Sequence, residues 1–275
     1  MNNKVKIKKP FFMLLLAVLL AIFGVVKVYA AGAHPAAIKY VTIKLGGIPK
    51  TRSIAIDAAG NVWLGNKYSG TIQEINGRTR RIIKTIFLGK SSKPRALAVD
   101  SVGNIWVADK GYGQIQKING ITGRVMATAY LAKDSHPFSL AIGKSGNVWV
   151  ANHASGTVQK IDAKSLKIIF TVKLSFGNIP AHPKCIISDG SGNIWSADKG
   201  DGKIVEINRI NGKIVKSLDV SGFDRPNVLA VDKNGNIWVP NIPGASLIEI
   251  VSAAKGPEYF PHVYSASSDS YPQWP

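Results

Sequence analysis

The sequence predicts an all-β protein of the β-propeller class, and three observations carry that expectation. Trp63, Trp106, Trp149, Trp195 and Trp238 recur at spacings of 43, 43, 46 and 43 residues. Each tryptophan closes a motif Asp-x-x-Gly-Asn-(Ile/Val)-Trp, with Gly143 replacing the aspartate in the third copy. Each copy also carries short runs alternating large and small residues between turn residues, with no helical period. A period in the forties with strands in every copy is that of a propeller blade. Five legible copies predict five four-stranded antiparallel blades, with six as the alternative.

The chain opens on a basic segment with Lys4, Lys6, Lys8 and Lys9, then an uncharged apolar run over residues 11–26, then Val28-Tyr29-Ala30. Basic, apolar and cleavable in that order is a secretory signal peptide over residues 1–30. The expected location is therefore secreted or periplasmic. The apolar run is short for a membrane span, and an N-terminal membrane anchor is the alternative. Residues 31–37 read as a leader, 38–256 as the propeller, and 257–275 as a tail rich in proline, serine and aromatic residues.

Residues 41–46 (Val-Thr-Ile-Lys-Leu-Gly) align one period ahead of residues 84–89. They read as the last strand of a blade whose first three strands lie at the other end of the chain. Pairing with the Trp238 blade would close the ring and remove two exposed sheet edges. The tail is a second source of an outer strand there. The second repeat shows the blade pattern. Strand a, residues 96–99, alternates Ala96 and Ala98 with Leu97 and Val99, which suits a tightly packed inner strand. Gly103 supplies the turn into strand b, residues 105–108. Strand c follows over 114–118 and strand d over 125–131.

The whole chain has 35 basic and 16 acidic residues, a formal charge of +19. Residues 1–30 hold five lysines and no acid, so 30 basic and 16 acidic residues remain after them, +14. Such a balance favours anionic partners. The single cysteine, Cys185, cannot form an internal disulfide and stands where Ser53, Ala96 and Ser139 stand in other repeats, so a buried inert thiol is expected.

The repeats Asp-x-x-Gly-Asn-(Ile/Val)-Trp and Trp-x-x-(Asp/Asn) resemble those of NHL-type and streptogramin lyase (virginiamycin B lyase-like) propellers, and more distantly gluconolactonase-type propellers, over residues 41–252. The resemblance implies a ligand site at one end of the central channel. Streptogramin lyases, by that resemblance, would place a histidine just after the proline entering strand a and a glutamate at the end of strand b. Here the corresponding residues are Arg52, Arg95, Phe138, Lys184 and Asn227, and strand b ends in Asp or Asn.

Alternating strand directions put the loops before strand a and after strand b on one face. The first set brings Arg52, Lys93, Arg95, His136, His182, Lys184 and Arg225; the second brings Asp109, Asn152 and Asp198, with Lys110, His153 and Lys199 beside them. The expected ligand-binding residues are Arg52, Lys93, Arg95, Lys110, Lys184, Lys199 and Arg225. An oxygen ring of Asp109, Asn152 and Asp198 is a candidate for Mg²⁺ or Ca²⁺, although such side chains also cap turns. Imidazole titrates in the range useful for acid–base work, so His136, His153 and His182 are the candidate catalytic groups. The expected function is an exported binding or scaffold propeller for an anionic polymer, a peptide or a protein partner. A metal-dependent lyase or lactonase is the alternative. Export argues against nucleic acid as the partner. The longer spacing between Trp149 and Trp195 falls within residues 175–181, on the same face. No P-loop, G-x-S-x-G, H-E-x-x-H or C-x-x-C motif occurs.

Overall fold

A computed structural model describes residues 41–46, 50–132, 134–175, 178–221, 225–241, 246–251 and 261–265. The expected signal segment and leader lie outside the described residues. No helix among the described residues is long and apolar enough to cross a membrane.

The alternating sequence folds into five antiparallel sheets of four strands each. The first comprises β1 (Thr51–Ile56), β2 (Val62–Asn66), β3 (Thr71–Ile75) and β4 (Ile82–Phe87). The second comprises β5 (Pro94–Val99), β6 (Asn104–Asp109), β7 (Gln114–Asn119) and β8 (Val125–Tyr130). The third comprises β9 (Pro137–Ile142), β10 (Val148–Asn152), β11 (Thr157–Ile161) and β12 (Ile168–Lys173). The fourth comprises β13 (Pro183–Ser188), β14 (Ile194–Asp198), β15 (Lys203–Ile207) and β16 (Ile214–Asp219). The fifth comprises β17 (Ala230–Val231), β18 (Ile237–Asn241), β19 (Ser246–Ile250) and β20 (Pro261–Ser265). Within each sheet the strands pair in chain order, and no α-helix occurs among the described residues, consistent with a propeller.

The tryptophans set how sheets stack. Trp106 pairs with small Ala98 on one side and Lys117 on the other. Its ring is fully buried and packs with Leu140, Val148 and Val150 of the third sheet. Trp63, Trp149 and Trp195 do the same, each against the sheet that follows its own. Each indole also has a polar anchor. The turn between the first two strands begins with Asp57, Asp100, Asp189 or Asp232, whose Oδ2 accepts a hydrogen bond from the Trp Nε1 four times over, at 2.9–3.2 Å. In the third sheet Gly143 occupies that place, and a Cβ there would lie 2.9 Å from Trp149 Nε1. Lysines stitch neighbouring sheets: Lys84, Lys117 and Lys160 donate to the carbonyls of Gly120, Ala163 and Arg209.

The structure corrects the expected closing strand. Residues 41–46 carry no strand, and the outer edge of β19 is taken by β20, from the tail. With β18 on its other edge, β19 has no edge left for residues 41–46. Joining β19 to β20 closes a loop of ten residues, whereas the N-terminal strand would close one of about two hundred, and the entropy cost grows with loop length. Leu45 instead offers its carbonyl to Gln73 Nε2 on β3. The first sheet differs from its successors in one respect. Ile54 is 60% exposed, while its counterparts Leu97, Leu140 and Ile186 are 3–8% exposed against the preceding sheet.

Cys185 packs between the fourth and fifth sheets. Its Sγ accepts a hydrogen bond from the Leu229 amide, and burial pushes the thiol up to about 11. The residue is half-buried rather than fully buried, and its raised value keeps the thiol protonated at neutral pH.

Candidate functional site

The site begins with an irregularity in the innermost strands. Each of β1, β5, β9 and β13 skips one residue in its pairing with the next strand. The skipped residues are Arg52, Arg95, Phe138 and Lys184, the positions after the strand-entry proline or its equivalent. A bulge leaves one residue outside the ladder and re-aims its side chain. So four sheets present one side chain apiece at the strand entrance, free of the core's packing constraints.

The turn after the second strand is tied to this entrance. The amides of Lys67, Lys110, His153 and Lys199 donate to the carbonyls of Lys50, Lys93, His136 and His182, at 3.1–3.3 Å. Asp109 Oδ1 accepts from the amides of Lys93 and Gly111 at 2.8 Å. Asp198 Oδ1 accepts from those of His182 and Gly200, at 2.6 and 2.9 Å. Asn152 turns its Nδ2 to Thr157 and Gln159 of its own sheet. These three residues are fully buried. Asp109 and Asp198 are thus turn-builders, each holding its own loop through Oδ1, while Asn152 is tied to the neighbouring strand β11. Asp109 Oδ2, Asn152 Oδ1 and Asp198 Oδ2 are buried without a protein hydrogen-bond partner, but no three His, Cys, Asp or Glu side chains are grouped to hold an ion among the described residues.

Above the turns the side chains form a column. The Arg95 guanidinium lies 3.7 Å from the Phe138 ring centroid. Phe138 stacks on His153 at 5.1 Å, and His153 on His182 at 4.9 Å. His182 Nδ1 donates to the His153 carbonyl, 2.9 Å away, which places the proton on Nδ1 because a carbonyl can only accept. Burial, then the charges of His182, Lys184, Lys110 and His136, push His153 down to about 4. His153 is therefore uncharged at neutral pH. His136 joins the group through its backbone carbonyl; its ring is not in the stack.

Two pockets flank the column. The larger, about 390 Å³, is lined by His153, His182, Lys184, Lys199 and Arg225, with Ile179, Pro180 and Gly200 completing the wall. The smaller, about 200 Å³, is lined by Lys67, Lys93, Arg95, Lys110 and Phe138. Six of the seven cations expected to bind ligand line one or the other. Arg52 lines neither, though its charge reaches Arg95. Burial first, then neighbouring cations, pull Arg95, Lys110 and Lys184 below their ordinary values. Lys67 joins the smaller pocket from the loop after β2, and Phe138 lines it without having been read as a site residue. The signal for Phe138 was its place in the post-proline series, where three other sheets carry cations. The lengthened loop over residues 175–181 contributes Ile179 and Pro180 to the larger pocket, as its position in the chain foretold.

Two carboxyls lie beneath the larger pocket's loop without lining it. Asp198 is raised to about 6, mainly by burial and then by the Asp201 carboxyl. Asp201 is raised too, burial being the larger cause, and it lies 3.6 Å from Lys203. In the first and third sheets these two positions are Asn66 and Ser69, Asn152 and Ser155. A carboxyl whose folded value is raised costs stability when ionised and ceases to do so as pH falls below about 4, where both folded and unfolded chains are protonated. Asp198→Asn is expected to raise unfolding stability by about 1–2 kcal/mol at pH 7. The gain disappears below pH 4, as urea melts at the two pH values would show.

No protein-family model matches the chain, and no curated protein sequence does. Solved structures match it. A streptogramin B lyase superposes with a TM-score of 0.70 at 20% identity, over 80% of this chain and 70% of that one. A catalytically inactive variant of virginiamycin B lyase from Staphylococcus aureus, with quinupristin, gives 0.71 at 19% identity, over 84% and 74%. A Bacteroides caccae protein of unknown function gives 0.56 at 21% identity, over 74% and 78%. The chain therefore has a streptogramin lyase-like propeller fold. At these identities the likeness speaks for the fold.

Proposed function

We propose that this protein is an exported five-bladed propeller that binds an anionic ligand on the face bearing the bulged entrances of its inner strands. The observation that carries this reading is the charge of the two pockets. Seven cationic side chains line them (Lys67, Lys93, Arg95, Lys110, Lys184, Lys199 and Arg225), and no carboxylate does among the described residues. Like charges held together without counter-charges repel, which is why Lys110 and Lys184 are pulled down by their neighbours as well as by burial. An anion relieves that repulsion on arrival. Export is supported by the basic, apolar, cleavable order of residues 1–30.

The alternative expectation, a metal-dependent lyase or lactonase, keeps two of its imidazoles together in His153 and His182. Of its metal donors, Asp109 and Asp198 each commit one carboxylate oxygen to turn amides, and Asn152 commits its amide nitrogen to β11. Binding is the reading the geometry supports better.

The reading is tested with a sulfated dextran as probe. Affinity is expected to fall at least tenfold between about 50 and 200 mM salt, as several paired charges require. Changing Lys93, Arg95 and Lys184 together to glutamate should abolish binding. Undiminished binding by that variant would overturn the reading.

A further inference from the structure

The two pockets are one electrostatic unit. Arg95 belongs to the smaller and Lys184 to the larger, yet both address the Phe138 ring, at 3.7 and 5.6 Å from its centroid. Arg95 lowers Lys184, and Lys110 and Lys184 both lower His153. A single ligand with anionic groups in both pockets would neutralise charges that two separate ligands would have to neutralise independently.

The lining also has a chemical bias. Ammonium and guanidinium groups only donate hydrogen bonds. Among the described residues neither pocket is lined by a Ser, Thr, Asn, Gln, Asp or Glu side chain, so hydroxyl protons on a ligand would find few acceptors. An acidic sugar brings several hydroxyls per charge, and leaving their protons unpaired is unfavourable. A chain of phosphoryl groups brings only acceptors, the complement of this lining, and Arg and Lys pair with phosphate by strong charge-assisted bonds. The smaller pocket, with four cations around a single phenyl ring, suits a bare phosphoryl group. The larger adds an apolar wall from Ile179 and Pro180.

We infer that the ligand is a condensed phosphate chain, inorganic or carried by a nucleotide, with phosphoryl groups seated in both pockets across Phe138. This rests on the anion-binding reading above and narrows it. Calorimetry on the full chain at constant ionic strength tests it with orthophosphate, tripolyphosphate, adenosine triphosphate and an oligogalacturonate. Bridging two sites commonly adds a factor of 10²–10⁴ in affinity. Tripolyphosphate is therefore expected to bind at least about 100-fold tighter than orthophosphate. Arg95→Gln and Lys184→Gln should each remove about tenfold or more of that advantage. Both change bulged residues outside the core, and either serves if the other weakens the fold. Lys164→Gln/Lys213→Gln, exposed on the opposite face, should leave affinity unchanged.

Adenosine triphosphate binding tighter than tripolyphosphate would make the chain's source a nucleotide; equal or weaker binding would make it inorganic. Orthophosphate binding as tightly as tripolyphosphate would overturn bridging while leaving anion binding intact. Tighter binding of oligogalacturonate than of tripolyphosphate would overturn the phosphate assignment. An equal loss in the Lys164/Lys213 variant would reduce the effect to overall charge and overturn the site. Absence of binding by every anion would remove the parent reading as well.

Discussion

Trp106→Ala is expected to lower unfolding stability by about 3–5 kcal/mol, the range for deleting a large aromatic from a close-packed interior. Trp106 has no exposed surface and fills the space between the second and third sheets. Its loss removes apolar burial, the Nε1 bond to Asp100 and the contact with Lys117, whose Nζ lies 5.1 Å from the ring centroid. The rigid ladders on either side limit collapse of the cavity. Trp106→Phe keeps most of the ring and loses the anchor, so its expected cost is about 1–2 kcal/mol. Trp149 supplies an internal control, because Gly143 stands where its aspartate would be. Trp149→Phe should cost less than Trp106→Phe. Urea midpoints for the three variants decide this, and equal costs for the two phenylalanine variants would mean the aspartate anchor contributes little.

The second large effect is expected at Asp100. Its carboxylate accepts bonds from the amides of Val102 and Asn104, from Asn104 Nδ2 and from Trp106 Nε1, at 2.8–3.1 Å. Asp100→Ala strands these donors at a turn that fixes the entry of the tryptophan strand, and should cost about 2–3 kcal/mol. Acid sensitivity gives a separate signature. Burial by itself would raise the Asp100 carboxyl, but bonds from Asn104, Trp106 and Val102 outweigh it, so the group ends below its ordinary value of 3.8. Asp57 and Asp232 behave alike. A group whose folded value is depressed contributes stability that is fully present above the unfolded value and lost as pH falls through the folded one. Acid unfolding is therefore expected to steepen below about pH 4. Asp100→Asn, which cannot titrate, should show a shallower fall there. An unchanged slope would show that these turns do not govern acid lability.

The sequence disclosed the parts of this architecture that repeat. The tryptophan is a local rule written five times, the aspartate turn and the small residue opposite the indole four times each, and each strand lies close to where its alternation puts it. Features that depend on a choice between equivalent chain segments were hidden. Residues 41–46 and 261–265 both could furnish an outer strand, and only loop length separates them. The site was half legible for a related reason. Residue types at the two sets of loops were plain, and six of the seven cations do line pockets. Which oxygens the backbone would occupy was not: turn amides take Oδ1 of Asp109 and of Asp198, while Asn152 spends its Nδ2 on neighbouring side chains. The bulges that aim Arg95, Phe138 and Lys184 are shifts of one residue within a strand, invisible to any periodicity. Phe138, the centre of the site, was therefore passed over as an exception among cations.

Those one-residue bulges bear on how such a molecule diversifies. Arg52, Arg95, Phe138 and Lys184 stand outside the ladders that hold the sheets together, so exchanging any of them alters the rim and leaves the interior undisturbed. Four neighbouring repeats thus offer four independently editable letters, and a lineage could rewrite what this face recognises one codon at a time without passing through an unfolded ancestor.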